Sequence, residues 1–297
     1  MRISVVITVL NEQESILGTL CGLAVQKLQP DEVIIVDGGS TDQTVQLIKL
    51  FQSQHRELDL KLFEKPGNRS EGRNYGIKQA SYHWIAITDA GCIPDKIWLE
   101  KLAQKAEQNE VLIVAGYYRG APQSSFEQAV IPYMLVMPDQ INQANFLPAT
   151  RSMLVHKSVW KEVGGFDEKL LLSEDYAFAK RIQRAGYRIV FSYEAQVTWR
   201  PIKNLRQFFV TAQGMTEHDV RAGITRNKAR SVVARYLLMI AIYLYHPAIF
   251  LAVTSIYLLW SLFKNAQYLS RDWWWLPILQ VTADFAVMSG LVKGVLF

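Results

Sequence analysis

Residues Ile3 to Leu10 form a β-branched apolar run, and an apolar face then recurs at Ile16, Leu20 and Leu23. The first pattern predicts a buried strand and the second a helix packed along one side. Val33 to Val36 is a second buried strand, followed by a helix capped by Thr41 or Asp42. Leu58 to Phe63 gives a third strand, residues 67–72 a polar loop, and Arg73 to Ala80 a short helix. Trp84 to Ile87 is a strand that runs into Asp89. A helix over Asp95 to Gln108, a strand over Val111 to Ala115 and a short strand over Ser152 to His156 follow. A short helix to Val163 is broken by Gly164 and Gly165. A last helix, Tyr176 to Ala185, has Ser173 as its cap and stops at Gly186. This alternation predicts an α/β fold with a mainly parallel central sheet and helices on both faces. Asn11, Asp37 and Asp89 each follow a strand, so they are expected along one sheet edge, where ligands of open α/β sheets gather.

The last third changes character. Basic residues dominate from Arg200 to Arg235, among them Lys203, Arg206, Arg221, Arg226, Lys228 and Arg230. Leu205 to Thr216 is amphipathic, with Leu205, Phe208, Phe209 and Ala212 on one side. It suits either packing on the first domain or lying on a membrane. Tyr236 to Phe263 holds no Asp, Glu, Lys or Arg. At about 1.5 Å per residue it can cross a hydrocarbon core of about 30 Å, with Pro247 as a kink. Trp273 to Phe297 is a second candidate span, in which Asp284 and Lys293 must face a partner helix or an interface. Trp260, Tyr268 and Trp273–Trp275 resemble an interfacial aromatic belt. The expected organisation is a domain over 1–220, a basic juxtamembrane segment over 221–235, and a membrane region over 236–297. The positive-inside rule places the first domain in the cytoplasm, held at the cell membrane.

Composition adds little to this. The chain has 297 residues and a formal charge of +5, which suits anionic substrates or an anionic membrane face and gives no reason to expect a nucleic acid partner. Cys21 and Cys92 form neither a metal-ligand spacing nor a disulfide framework.

The chemistry lies in the acids. Asp89 at a strand end, with Gly91 turning the chain away, can hold a metal ion or ribose, or simply cap a turn. Asp37-Gly38-Gly39-Ser40 allows close backbone approach, yet it is neither a Walker loop nor the dinucleotide fingerprint. Glu174 and Asp175 fall in a first helical turn, where the dipole favours anions; an Asp there aimed across a crevice would be a general base.

Four segments together resemble family 2 glycosyltransferases with the nucleotide-sugar-binding GT-A fold, of the membrane-anchored bacterial type. They are Ser4 to Glu12, Ile35 to Asp42, Thr88 to Cys92, and Gly164 to Glu168 followed by Glu174-Asp175. The resemblance implies nucleotide contacts from Thr8, Asn11 and Glu12, base contacts from Asp37 and Gly39, and Arg73 near the phosphates. It places Asp89, with Ala90, at the metal–diphosphate, Asp89 being the metal ligand, and makes Asp175 the general base. A divalent Mn or Mg ion and a UDP-sugar donor are the implied cofactors. Three departures bear on this. Gly38 and Gly91 replace second acids, and Trp199-Arg200-Pro201 stands where many relatives carry a metal-binding His. Either metal binding is weaker, or Arg73 and Arg200 share the neutralisation of leaving charge. The Gln-x-x-Arg-Trp motif of processive synthases is absent, which favours single-sugar transfer. The implied activity is inverting hexosyl transfer to a hydroxyl acceptor on a lipid-linked or membrane-proximal glycan. A non-catalytic nucleotide-binding membrane scaffold of the same fold is the alternative. A nucleotidyltransferase would want a basic, glycine-rich loop where Thr8 to Glu12 has neither.

Overall fold

The computed structural model describes residues 1–224 and 227–296; Arg226 of the basic run and Phe297 at the end of the second expected span lie outside them. In chain order the elements are β1 (Ile3–Val9), α1 (Ile16–Ala24), β2 (Glu32–Asp37), α2 (Thr44–Gln54), β3 (Leu60–Glu64), α3 (Arg69–Gln79), β4 (Trp84–Ile87), β5 (Cys92–Pro94), α4 (Trp98–Asn109) and β6 (Ile113–Gly120). Then come α5 (Ser125–Met134), β7 (Met153–His156), α6 (Lys157–Glu162), α7 (Glu174–Arg184), β8 (Ile189–Trp199), α8 (Leu205–Arg221), α9 (Asn227–Tyr245), α10 (Pro247–Asn265) and α11 (Trp275–Leu296). Two compact units result: Met1–Arg119 with Ile141–Arg200, and Gly120–Gln140 with the chain from Pro201 onward.

The first unit is built on an eight-stranded sheet in the order β3-β2-β1-β4-β7-β6-β8-β5. Its first half is parallel, with Val9 opposite Asp37 and Val6 opposite Ile87. The ends of β1, β2 and β4 therefore line up, and Asn11, Asp37 and Asp89 share one edge as expected. Both faces are buried, which explains the continuous apolar strands. Ile3, Val5, Ile7 and Val9 pack with Leu20, Leu23 and Trp98 on one side, while Val6 packs with Ile77, Phe178 and Ile182 on the other. Close approach fixes the second layer: a Cβ at Gly76 of α3 would lie 2.7 Å from Val6 Cγ1.

The other half departs from the parallel expectation. β7 runs antiparallel to β4 and to β6, and β5 antiparallel to β8. The reversal matters for the site. Met153, at the start of β7, faces Ile87 at the end of β4, so the loop before β7 reaches the same edge as Asp89. Trp199, at the end of β8, pairs with Cys92 and arrives there too.

Local chemistry moves three helix starts. α3 begins at Arg69, inside the expected loop, because Asn68 Oδ1 accepts from the Ser70 and Glu71 amides and Glu71 accepts in return from the Asn68 amide. α2 begins at Thr44, whose N–H and hydroxyl both donate to Asp42 Oδ1. Ser173 does precede α7, but in the left-handed region at φ 60° and without a side-chain capping bond.

The second unit is helical. α8, placed by the sequence within 1–220, packs along α11 here. The uncharged stretch over Tyr236 to Phe263 is not one helix. α9 stops at Tyr245 and α10 starts at Pro247, because a proline lacks the N–H an interior position needs but suits a first turn. Among the described residues the segments long and apolar enough to cross a membrane are Pro247–Tyr268 and Trp275–Leu296, with mean hydropathies of 1.5 and 1.4. Asp284 does face partner helices: it is 2% exposed, 2.8 Å from Arg235 Nη2, and accepts from the Tyr236 and Tyr257 hydroxyls. Lys293 Nζ donates to Gln213 Oε1 on α8 at 3.0 Å.

Candidate active site

At the aligned edge a cavity of about 300 Å³ opens within the first unit. Its floor is fixed by a buried ion network. Arg73, brought forward by α3, is 1% exposed. Its Nη1 donates to Glu174 Oε1 at 2.6 Å and its Nη2 to Asp89 Oδ1 at 2.7 Å. The Phe166 ring lies 5.6 Å from the guanidinium carbon. Burial works against charge on both Arg73 and Asp89, but each outweighs it for the other. The Asp89 carboxyl is held below the usual carboxylate range by Arg73, Arg151 and Arg69, and the Arg73 guanidinium is pushed up by Asp89 and Glu174. Asp89 is thus a fixed, ionised carboxylate at the cavity rim, which suits a hard divalent ion. Among the described residues no three or more His, Cys, Asp or Glu side chains come together to hold a metal. A divalent ion here would depend on substrate oxygens and water for most of its shell.

Thr8, Glu12, Arg73, Asp89 and Ala90 all line the cavity, as the motifs imply. The other expected residues stand behind or beside the wall. Asn11 Oδ1 accepts from the Thr41 amide at 2.9 Å and so ties the first loop to the β2–α2 turn. Asp37 is 3% exposed; its Oδ2 accepts from the Gly39 and Ser40 amides at 3.0 Å, and its buried Oδ1 finds no partner among the described residues. Asp175, in the first turn of α7, accepts from the Tyr176 amide and is half-buried, close enough to act electrostatically on Arg151 and Tyr118. Its neighbour Glu174 is instead buried and holds Arg73.

At Gly91 the backbone is left-handed, φ 87°, and its N–H donates to Thr19 Oγ1 at 3.1 Å. A Cβ there would sit 3.7 Å from Glu12 Oε2. The carboxylate nearest the missing second acid is therefore that of Glu12. Burial raises the Glu12 carboxyl; the Ser15 hydroxyl opposes this and Asp89 reinforces it. Cys92, also in the wall, is pushed up to about 12 by burial and by Asp89, so it stays a thiol at neutral pH.

Two wall residues escaped the sequence reading. Arg151 sits in the loop before β7, its carbonyl accepting from Thr88 Oγ1 at 2.9 Å. Its guanidinium lies 4.8 Å from the Tyr118 ring centre and 4.9 Å from that of Trp199. Only the antiparallel turn of β7 brings it to Asp89, and no local pattern announces that. Trp199 is read in sequence as a lost ligand, whereas in space its ring packs against Arg151. Of the two arginines named for the leaving charge, Arg73 has both Nη atoms committed to carboxylates, and Arg200 is exposed and outside the wall.

Comparison with known proteins decides the family. The profile described as glycosyl transferase family 2 matches residues 4–159, more than half of the chain. The chain belongs to glycosyl transferase family 2. It is 28% identical over 199 residues to glycosyltransferase AglE of Haloferax volcanii, covering 65% of this chain and 64% of AglE. It is 28% identical over 189 residues to the poly-beta-1,6-N-acetyl-D-glucosamine synthase of Staphylococcus aureus, covering 61% of this chain and 45% of the synthase. The chain thus spans between about half and two thirds of these relatives. Among solved structures, mannosyltransferase PcManGT from Pyrobaculum calidifontis, in complex with GDP-Man and Mn2+, superposes with a TM-score of 0.77 at 17% identity, over 99% of this chain and 87% of that one. Residues 1–349 of S. aureus TarS, in complex with UDP-GlcNAc, give 0.53 at 19% identity, over 99% of this chain and 90% of that fragment. These likenesses establish the GT-A fold.

Proposed function

We propose that this chain is a glycosyltransferase enzyme that moves one sugar from a nucleoside diphosphate sugar to an acceptor hydroxyl with inversion, at a membrane surface. The observation that carries the reading is the Asp89–Arg73–Glu174 network, which pins an ionised carboxylate at the cavity rim, with Asp175 next to Glu174 in α7 and acting electrostatically on Arg151 in the wall. In the step envisaged, Asp175 accepts the acceptor's hydroxyl proton as that oxygen bonds to the anomeric carbon. The bond from that carbon to the diphosphate breaks, and its electron pair leaves with the diphosphate. One-sided attack by a single base gives inversion. A divalent ion held by Asp89 would neutralise charge developing on the leaving diphosphate. A UDP-sugar is the donor favoured by the family resemblance; the buried Asp37 Oδ1, without a partner among the described residues, is the acceptor that a base N–H would satisfy if it reached behind the wall. PcManGT, bound to GDP-Man, makes GDP-sugars the necessary second arm of any donor screen.

Two segments able to span a bilayer, each 22 residues long, support membrane attachment. The basic run before them supports a cytoplasmic active site facing a lipid-linked or membrane-proximal glycan acceptor. The test is Asp175→Asn. Turnover should fall by about 10²- to 10⁴-fold while donor affinity, measured calorimetrically, stays within about twofold. Undiminished turnover would remove Asp175 as the base.

A further inference from the structure

The cavity poses an electrostatic problem. Its floor trio sets one guanidinium, Arg73, between two carboxylates, Asp89 and Glu174, so the trio carries net negative charge. Glu12 adds another carboxylate to the same wall. Arg69, half-exposed in the same wall, lies 4.0 Å from Glu174, and the elements that would offset the acids by metal coordination are reduced: Gly91 has no side chain and Trp199 is not a ligand.

Arg151 answers this. Among the described residues no carboxylate comes within salt-bridge distance of its guanidinium, whereas Arg73 has two within 2.7 Å. It lines the cavity. Its position is set before any ligand arrives. The Thr88 hydroxyl holds its carbonyl one residue from Asp89, Ser152 beside it is 1% exposed, and two aromatic rings flank the guanidinium. Those rings, Tyr118 and Trp199, meet edge to face at 88° and so brace each other. A guanidinium packed against aromatic rings can still present N–H groups to phosphate oxygens. Burial opposes its charge, but Tyr118 and Asp89 keep the guanidinium protonated.

We propose that Arg151, packed against Tyr118 and Trp199, grips a phosphate oxygen of the donor's diphosphate and supplies positive charge where the second metal-binding acid and the histidine are absent. The inference rests on the nucleotide-sugar reading above. It makes diphosphate binding only partly metal-dependent, and it gives Trp199 a use in place of ligation.

The test uses the full chain in detergent, titrated calorimetrically with UDP and GDP, in Mn2+ and in EDTA. Saturation-transfer NMR gives the affinities of uridine and guanosine. Wild type should retain measurable diphosphate affinity in EDTA. Arg151→Gln should weaken the preferred diphosphate by about 10- to 100-fold, the range of a lost charge-assisted bond. Nucleoside affinity should be unchanged, and Arg151→Lys should recover part of the loss. Equal diphosphate affinity in Arg151→Gln and wild type would overturn the proposal. So would an equal loss for the nucleoside, since that marks a merely structural wall. A polyprenyl phosphate arm separates the two phosphate sources. If Arg151→Gln lowered that affinity alone, the cation would serve the acceptor and the proposal would fall. Should wild type bind neither diphosphate under any condition, the donor reading itself fails, which is a different result from any of these.

Discussion

Glu174→Ala tests the buried network directly. Glu174 and Arg73 side chains are 4% and 2% exposed, and their contact is 2.6 Å. Removing the carboxylate leaves a buried guanidinium with Asp89 as its only close partner, and that acid is itself 22% exposed. Breaking a buried pair in this way costs about 3–5 kcal/mol, mostly as the penalty of a charge left without its partner. For a unit of this size about 2–4 °C is lost per kcal/mol, so the first unit's melting midpoint should fall by roughly 6–20 °C. Near-ultraviolet circular dichroism in detergent, read against temperature, measures it. Glu174→Gln, which keeps an acceptor but no charge, should lie between Ala and wild type. The double change Arg73→Met with Glu174→Leu should cost less than Glu174→Ala alone, because apolar replacement of a buried pair is close to neutral and Asp89 can turn to water. A drop below about 2 °C for Glu174→Ala would refute the reasoning, as would a double variant worse than the sum of its singles.

Other outcomes follow from the same geometry. Because burial raises the Glu12 carboxyl, the folded protein binds that proton more tightly than the unfolded chain. The ionised form therefore costs stability above the ordinary carboxylate value and the cost vanishes below it. Metal-free Glu12→Gln should be more stable than wild type in urea titrations near neutral pH, with the gap closing below about pH 4.3; a gap that widens in acid would contradict this. Gly91→Asp restores a second acid in a left-handed site with room for its Cβ, so it should tighten Mn2+ binding in the presence of UDP, read by electron paramagnetic resonance, while lowering stability by about 1–3 kcal/mol. Unchanged Mn2+ affinity would mean that the position does not face the ion. The full chain should stay in the membrane pellet through an alkaline carbonate wash; recovery in the supernatant would remove the proposed anchor.

What the sequence decides by itself is local or carried by short patterns. The apolar runs at Ile3–Val9 and Val33–Val36, and the acids that follow the strands, place Asp37 and Asp89 on one edge, since parallel strands must end on the same side. The motif set likewise marks Thr8, Glu12, Arg73, Asp89 and Ala90, which do share one cavity. Tertiary structure decides whatever depends on strand direction and burial. Residues 150–153 look alike whether β7 runs with β4 or against it, yet only the antiparallel choice brings Arg151 to Asp89. Glu174 and Asp175 are adjacent acids in one helical turn, and nothing in their order says which is buried. Successive helical positions point about 100° apart. Packing alone turns Glu174 inward to Arg73 and leaves Asp175 half-exposed. Pairing across such distances is fixed by the collapsed core, to which residues from end to end of the first unit contribute.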